Sequence, residues 1–235
     1  MKLGIMQPYF FPYIGYFQLI RAVDHYIFFD TTQYEKGRWM NRNRIININE
    51  GSAFITVPIE KAPLDTRLKD IRIDNSKEWR KQIIAKLDVY RKRAPYFDDV
   101  LQLVKLSLDG HCSNLADLNI NSVMSVCEYL GISFKHEIYS KMGLDVPREC
   151  KGDEWALNIT KALGYTTYIN APGGSVFYDR EKFKKEGINL EFLCPELRSY
   201  EQKIGRFEKG LSIIDVLMFN SVCDVREMLD EYEFV

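Results

Sequence analysis

The chain has 235 residues, of which 46% are hydrophobic and 28% are charged, and its formal net charge is −1. This composition is typical of a globular protein that buries a sizeable core. The near-neutral charge argues against a general attraction to nucleic acid or to an anionic membrane surface. No apolar run approaches the ~20 residues that a membrane span needs, so membrane insertion is not expected.

Cysteine and histidine usage bounds the chemistry further. The five cysteines are scattered, odd in number and without CxxC spacing, which predicts reduced thiols and a cytoplasmic location. The start of the chain lacks the basic, long apolar and small-residue pattern of a signal peptide. Only three histidines occur, and none has ligand spacing to another, so no metal site is expected.

The first predicted unit is a strand, an aromatic loop, a helix and a second strand. We expect strands at Leu3–Met6 and His25–Phe29, with a helix at Ile14–Val23 between them. This is the size of a βαβ unit, whose parallel strands need a crossover of this length. Ligands of such units lie beyond the carboxyl ends of the strands. Gln7 and Asp30 stand at those two ends, which predicts a ligand site there.

The rest of the chain alternates between helical and strand patterns after a hairpin. The hairpin is predicted from β-rich runs at Ile45–Ile48 and Phe54–Ile59, and a half-buried strand is predicted at Leu68–Ile73. The later elements, in order, are helices at Asn75–Lys92, Phe97–Leu108 and Asn114–Leu130, a strand at Ile132–His136, a helix at Glu154–Leu163, a strand at Thr167–Asn170, a loop at Ala171–Ser175, a short helix at Phe183, a strand at Leu190–Leu193, and helices at Leu211–Phe219 and Val222–Tyr232.

This alternation predicts an α/β fold with a β-hairpin insertion and a mainly helical second part. We expect one domain over residues 1–235, and a helical lobe around residues 75–131 is left open.

The aromatic loop resembles the HxGH loop of nucleotidylyltransferases and class I synthetases. Gln7-Pro8-Tyr9 stands near the Gln-Pro-Phe that precedes that loop, and Tyr13 and Tyr16 replace its two histidines around Gly15. The resemblance implies a parallel Rossmann-like sheet of the HUP/nucleotidylyltransferase kind. Loss of both imidazoles removes the groups that stabilise charge on an α-phosphate, which argues against nucleotidyl transfer. Gly15 and the helix N-terminus still suit a phosphate or carboxylate.

A polar run, Thr31–Arg44, follows the second strand. Arginine offers a planar fork for carboxylate or phosphate, asparagine offers a donor and an acceptor, and tryptophan and tyrosine offer flat surfaces for a sugar or base. The candidate ligand contacts in this run are Gln33, Tyr34, Trp39, Asn41, Arg42, Asn43 and Arg44. A solvated loop with an arginine face is the alternative interpretation.

A second candidate region lies around Gly173 and Gly174, between Tyr168 at the predicted strand and Tyr178. Two adjacent glycines allow backbone amides to approach a bound group closely. The sequence therefore predicts that these four residues contact the ligand.

In this order of motifs the chain resembles the WbqC-like proteins. The opening block that carries the resemblance is Gln7, Pro8, Pro12, Gly15, Tyr16, Phe17, Asp24, Asp30, Gln33, Tyr34, Asn41, Arg42, Asn43, Arg44 and Ile45, followed by Thr56-Val57-Pro58. It returns in Thr167-Tyr168, Gly173-Gly174, Tyr178, Gly187-Ile188 and Leu211-Ser212-Ile213-Ile214-Asp215. The resemblance spans nearly the whole chain.

The resemblance implies a role in bacterial surface-polysaccharide biosynthesis, in O-antigen and lipopolysaccharide gene clusters. The activity considered for the family is an amide-forming transfer of an acyl or aminoacyl group to an amino sugar. The expected partners are therefore a nucleotide-linked amino sugar and an activated acyl or aminoacyl donor. No cofactor is expected, and a homo-oligomer is left open.

Under this hypothesis the catalytic residues are Asp30, Asn41 and Arg42. Asp30 acts as the general base for the attacking amine or orients it, and Arg42 and Arg44 bind the diphosphate. Asn41, Asn43 or the amides of Gly173-Gly174 stabilise the developing oxyanion. Two alternatives remain: a nucleotidylyltransferase relative that uses arginine in place of the histidines, and a non-catalytic protein that binds a sugar nucleotide.

Overall fold

The computed structural model describes residues 1–110, 112–147, 150 and 152–235. These residues form a mixed α/β fold with a mostly parallel central sheet. The strands are β1 (Lys2–Met6), β2 (His25–Phe28), β3 (Arg42–Asn47), β4 (Gly51–Thr56), β5 (His136–Ile138), β6 (Thr167–Asn170), β7 (Asn189–Pro195) and β8 (Tyr232–Phe234). The helices are α1 (Ile14–Ala22), α2 (Trp79–Lys86), α3 (Phe97–Leu108), α4 (Leu115–Tyr129), α5 (Gly152–Ala162), α6 (Arg180–Lys185), α7 (Ile213–Phe219) and α8 (Val222–Met228).

The central sheet has six strands in the order β5-β2-β1-β6-β7-β8. The first five are parallel, and β8 pairs with β7 in the antiparallel direction. In the register of β1, Ile5 lies opposite Ile27 of β2 and Gly4 lies opposite Ile169 of β6. The chain therefore builds outward from β1 through β2 to β5, then crosses back and continues on the other side with β6 and β7.

Helices cover both faces of this sheet, as a parallel sheet requires. On one face, Tyr26 and Phe28 of β2 pack in the cluster that includes Phe17 of α1. On the other face, Ile27 packs with Ile159 of α5 and Phe183 of α6, in a second cluster. The alternation along β2 thus places α1 on one side of the sheet and α5 and α6 on the other.

The hairpin is a separate two-stranded sheet, β3-β4, and not part of the central one. Its register places Arg42 opposite Thr56 and Arg44 opposite Phe54. The alternation of β3 buries Asn43 and Ile45, while Arg42 and Arg44 are half-buried on the other face. The predicted hairpin exists, but β3 begins three residues earlier than expected, so these arginines belong to a strand.

Besides the predicted helix at Asn75–Lys92, whose α-helical part is Trp79–Lys86, three predicted elements are wrong in detail. Leu68–Ile73 forms a 3₁₀ turn followed by isolated bridges, because its amides bond to several different segments: Leu68 N–H donates to Thr32 O at 2.8 Å. The predicted strand at Ile132–His136 starts only at its last residue, where pairing with β2 begins. The predicted last helix stops at Met228, and Tyr232–Phe234 forms β8.

The helix α8 stops because buried Gln18 binds the chain that leaves it. The Gln18 side-chain amide donates to Met228 O at 2.7 Å and to Glu231 O at 2.8 Å. A buried amide with two such bonds fixes the turn into β8. No helix within the described residues is long and apolar enough to cross a membrane.

Candidate functional site

A cavity of about 1150 Å³ opens at the carboxyl ends of the central strands. Gln7 follows β1, Thr31 follows β2, and Asn170 ends β6, and all three line it. The strand order reverses between β1 and β6, and in open α/β sheets ligands bind at this point. The reversal of strand order and the position of the cavity therefore indicate the same ligand site.

Nine of the described residues that line the cavity are aromatic. Phe29, Tyr139 and Trp155 form one group, with ring centroids between 4.9 and 5.9 Å apart. Tyr168 and Tyr178 form another, 5.6 Å apart, with their hydroxyls 3.3 Å from each other. Flat apolar walls with a few polar tips are suited to the face of a sugar or a nucleobase.

Gln7 is held by three neighbours. Its Nε2 donates to Thr32 Oγ1 at 3.0 Å, its Oε1 accepts from the Tyr9 hydroxyl at 2.8 Å, and its carbonyl accepts from the Tyr16 hydroxyl at 3.0 Å. Burial and the nearby Glu35 raise the pKa of Tyr9 to about 12, so its hydroxyl stays protonated and donates at physiological pH. One amide hydrogen of Gln7 has no partner among the described residues, and a ligand in the cavity can accept it.

Arg67 and Glu35 are the charged residues among the described ones that line the cavity. The chain around Arg67 runs beside the end of β2: Tyr34 N–H donates to Thr66 O at 2.9 Å, and Lys69 N–H donates to Asp30 O at 2.9 Å. The Arg67 guanidinium makes no ion pair with the described residues. Among the lining residues that the structure describes, Arg67 is therefore the cation that can bind an anionic ligand.

The Tyr13 ring lies across the first turn of α1. A Cβ built on Gly15 would come within 2.5 to 2.6 Å of the Tyr13 ring and hydroxyl, so a larger residue at this position requires the ring to move. Tyr16 is buried, and its hydroxyl is engaged by Gln7. Burial raises the pKa of both phenols. Two neutral tyrosines thus stand where the HxGH resemblance has imidazoles.

Asp30 does not line this cavity. Its side chain is 3% exposed, and its two carboxylate oxygens accept from the backbone N–H of Ser140, at 3.0 Å, and from the Ser140 hydroxyl. Its carbonyl accepts from Lys69 N–H. Asp30 therefore joins the end of β2 to the turn that carries Tyr139 and to the segment that carries Arg67.

The aromatic loop between β1 and α1 is buried, and polar side chains satisfy its backbone. Asn119 Nδ2 donates to Pro8 O at 2.9 Å, and Asn43 Nδ2 donates to Phe11 O at 2.7 Å. Ser122 Oγ accepts from Phe11 N–H at 3.2 Å, and Ser212 Oγ donates to Phe11 O at 2.8 Å. Phe11 has a positive φ of 39°, a strained conformation that such a set of bonds maintains.

The Asn41–Arg44 run belongs to the hairpin and not to the large cavity. Asn41 Nδ2 donates to Val57 O at 2.8 Å, and Asn43 is occupied by the aromatic loop. The Arg42 guanidinium lies 4.2 Å from the Phe54 ring centroid and donates to Gly37 O. Contrary to the expectation from strand ends, Asp30 and this run do not share the cavity with Gln7. Asp30 is bonded to Ser140, the two asparagines are bonded to backbone carbonyls, and the two arginines pack on aromatic rings.

The structure thus divides the sequence-derived candidates into two sets. The set that lines the large cavity is Gln7, Tyr13, Gly15, Tyr16, Gln33, Tyr168, Gly173, Gly174 and Tyr178. The set that does not is Pro8, Asp30, Tyr34, Trp39, Asn41, Arg42, Asn43 and Arg44.

Sequence reasoning missed other lining residues. Asn170 ends a correctly predicted strand, so the strand-end rule applied to β6 would have found it. Arg67, Glu35, Tyr139 and Trp155 carry no comparable local signal, since long-range pairing brings them to the cavity. Within the described ranges, no group of three histidine, cysteine or acidic side chains is placed to hold a metal ion.

Comparison with known proteins gives two matches. A profile of the WbqC-like protein family matches residues 7–227. An uncharacterized protein of Mycobacterium tuberculosis, Rv1507c, is 31% identical over 222 residues, which cover 93% of this chain and 93% of that protein. No solved structure gives a significant match. The profile covers the cavity-lining residues from Gln7 onward.

Proposed function

Because this chain belongs to the WbqC-like protein family, we propose that it is a cytoplasmic transferase of surface-polysaccharide biosynthesis. It binds a nucleotide-linked amino sugar in the large cavity and receives an acyl or aminoacyl group on the sugar amine. The observation that carries this proposal is the cavity at the β1/β6 reversal, with aromatic and amide walls and Arg67 at its edge. The strand order also supports the finer assignment of the sheet as Rossmann-like, of the HUP kind.

The binding roles follow from the chemistry of the walls. Arg67 binds the diphosphate, because a guanidinium matches phosphate oxygens with charge-assisted hydrogen bonds. The rings of Phe29, Tyr139 and Trp155 provide stacking surface for the base or the sugar. Gln7 and Asn170, at adjacent strand ends, orient hydroxyl or amide groups of the sugar. This division leaves Arg42 and Arg44 without a role at the diphosphate.

The reaction needs a group that accepts the amine proton and a hydrogen-bond donor that stabilises the developing oxyanion. Glu35 is the carboxylate among the described lining residues; it is exposed, its Oε2 accepts from Arg38 Nε at 3.2 Å, and its Oε1 can accept the amine proton. The N–H of Gly174 is occupied by Ala171 O at 3.0 Å, which leaves the N–H of Gly173 to stabilise the developing oxyanion. Glu35 therefore replaces Asp30 as the proposed base.

The two alternatives are distinguished by chemistry. A nucleotidylyltransferase has less support, because Tyr16 is buried and donates to Gln7, so no free cationic side chain replaces the imidazoles in the first turn of α1. A non-catalytic protein would bind the sugar nucleotide in the same cavity. Binding without transfer from any activated donor would favour that alternative.

Arg67→Ala is expected to weaken binding of UDP- or dTDP-linked amino sugars by about tenfold or more, since a charge-assisted contact contributes about 1.5–3 kcal/mol. Calorimetric titration of the wild type and the variant measures the effect. Arg72→Ala is the matched control, because Arg72 lies on the same segment, outside the cavity, in an ion pair with Glu60 at 3.9 Å. Equal affinities for wild type and Arg67→Ala would refute the diphosphate role.

Glu35→Gln and Asp30→Asn separate the two candidate bases. We expect Glu35→Gln to lose amide formation while it still binds the sugar nucleotide, since an amide cannot accept the amine proton. Asp30→Asn is expected to retain transfer and to change the unfolding free energy by less than about 1 kcal/mol, because an amide can still accept from Ser140 N–H and donate to its hydroxyl. Mass spectrometry of the acylated sugar nucleotide gives the readout.

Transfer that survives in Glu35→Gln but is lost in a folded Asp30→Asn variant would return the base role to Asp30. Urea denaturation of each variant supplies the control for folding.

A further inference from the structure

A second cavity, of about 320 Å³, lies beside the first. Its lining residues are Pro12, Tyr13, Trp39, Asn43, Leu197 and Gly210. Tyr13 also lines the large cavity, so one tyrosine ring is a wall of both. A bimolecular transfer needs its two substrates bound next to each other at the reacting atoms. Two cavities that share Tyr13 provide such an arrangement.

The chemistry of the second cavity differs from that of the first. Its walls are aromatic or apolar apart from Asn43, whose Nδ2 is bonded to Phe10 O and Phe11 O and whose Oδ1 accepts from Arg44 N–H at 2.8 Å. Asn43 therefore has no amide hydrogen left for a ligand. An uncharged aliphatic group is the kind of ligand that such walls bind.

A cation packs against one of the residues that line this cavity. The Arg44 guanidinium lies over the Trp39 ring, 5.7 Å from its centroid, and one nitrogen donates to Lys209 O at 3.4 Å. Its Nε has no hydrogen-bond partner in the part of the chain that the structure describes. Arg44 is half-buried, and the terminal guanidinium hydrogens that are not bonded to Lys209 O can donate to a phosphate attached to an apolar group in the cavity.

We propose that the second cavity binds the acyl group of the donor, and that Arg44 binds a phosphate of the activating group. The proposal rests on the proposed function for the other substrate. The sugar amine forms the new bond to the acyl carbon, the bond from that carbon to the thiolate or phosphate leaving group breaks, and the leaving group departs with the electron pair. The amine proton passes to Glu35 and then to the leaving group, so the step needs no oxidant or reductant.

Tyr13 decides whether the two substrates meet. Its ring lies over Gly15, where a Cβ would come within 2.6 Å of it, and Tyr13 lines both the sugar site and the acyl site. Tyr13 is therefore a positioning residue for both ligands.

The tryptophans allow each cavity to be observed separately. The chain has three: Trp39 lines the small cavity, Trp155 lines the large one, and Trp79 is buried with its indole N–H bonded to Asn75. In Trp155→Phe, we expect a saturable change in Trp39 fluorescence on titration with butyryl-CoA or butyryl phosphate. In Trp39→Phe, we expect a saturable change in Trp155 fluorescence with a UDP-linked amino sugar.

Leu197→Phe tests the location by filling the small cavity. It is expected to weaken binding of the butyryl probe, followed at Trp39, by about tenfold and to leave the Trp155 response to the sugar nucleotide unchanged. Leu106→Phe is the matched control, since Leu106 is 61% exposed on α3 and lines neither cavity. The two butyryl probes differ in leaving group, so their relative affinities identify a thioester or an acyl phosphate as the donor.

The outcomes separate this inference from the proposed function. No saturable Trp39 response to either butyryl probe at millimolar concentration, or competition of the probe with the sugar nucleotide at Trp155, would overturn the acyl site. A Trp39 response without any Trp155 response to sugar nucleotides would overturn the proposed acceptor and leave the acyl site supported.

Discussion

Asp215→Ala is expected to destabilise the native state by about 4 kcal/mol, a large part of the stability of an ordinary domain. Asp215 is fully buried in α7, and its carboxyl group accepts from the hydroxyls of Tyr90 and Tyr200 and from Gln202 Nε2, each at 2.7 Å. Each donor left unsatisfied in the interior costs about 1–3 kcal/mol. Urea denaturation followed by circular dichroism measures the loss.

Because a loss of this size can prevent the variant from folding, Tyr200→Phe provides the graded test. It removes one donor and is expected to cost about 1–3 kcal/mol. Tyr129→Phe is the control, because Tyr129 is half-buried with no described hydrogen bond, and it should change stability by less than about 0.5 kcal/mol. Equal effects of the two tyrosine variants would contradict the role of Asp215.

The same carboxyl group gives a pH signature. Burial raises the pKa of Asp215 above its ordinary value of 3.8, so the folded chain binds the proton more tightly than the unfolded chain. The protonated carboxyl group therefore contributes its full stabilisation at a pH below the pKa of the unfolded state. This contribution is lost as the pH rises through the pKa of the folded state. The unfolding free energy of the wild type should therefore fall relative to Asp215→Asn as the pH rises from about 4.

Asn119→Ala is expected to cost about 3 kcal/mol and to weaken sugar-nucleotide binding by at least about tenfold. Asn119 is fully buried in α4, and its Nδ2 donates to Pro8 O at 2.9 Å and to Met40 O at 2.7 Å. Without it, two buried carbonyls lose their donor, and the loop that places Tyr9 and Tyr13 in the cavity is released at one end. Denaturation and calorimetric titration report the two effects.

Asn121→Ala is the matched control for this prediction. Asn121 lies two residues further along the same helix, is exposed, and donates to Ser107 O at 2.8 Å, away from the aromatic loop. It should cost about 1 kcal/mol or less and leave the affinity unchanged. A folded Asn119→Ala variant with wild-type affinity would show that the loop holds its shape without this contact.

The fold was predictable where local pattern and long-range structure agree. The apolar run before Gln7, the helix after the aromatic loop and the second apolar run are β1, α1 and β2, within a residue or two of the prediction. Periodicity and the βαβ length are local properties, so the sequence carries them directly. The same is true of α3 and β6, whose bounds match the prediction.

The candidate site was less predictable, because a strand end predicts a position but not a side-chain partner. Gln7 lines the cavity, whereas Asp30, at the equivalent end of β2, turns to Ser140 from a distant segment. The Asn-Arg run had the composition of a ligand loop, yet its asparagines bind carbonyls of the aromatic loop and of Val57. Such long-range hydrogen bonds leave no local signal in a single sequence.

The position of β1 at the centre of the sheet has a consequence for the order of folding. β1 pairs with β2 about twenty residues later in the chain, but its other neighbour, β6, starts at Thr167, opposite Lys2. Contacts of such long sequence separation form slowly, and during synthesis the first half of the chain emerges without β6. One side of β1 therefore stays open until residues near 170 are available. The cavity at the carboxyl ends of β1 and β6 is among the last parts of the molecule to assemble, and ligand protection against proteolysis can begin only then.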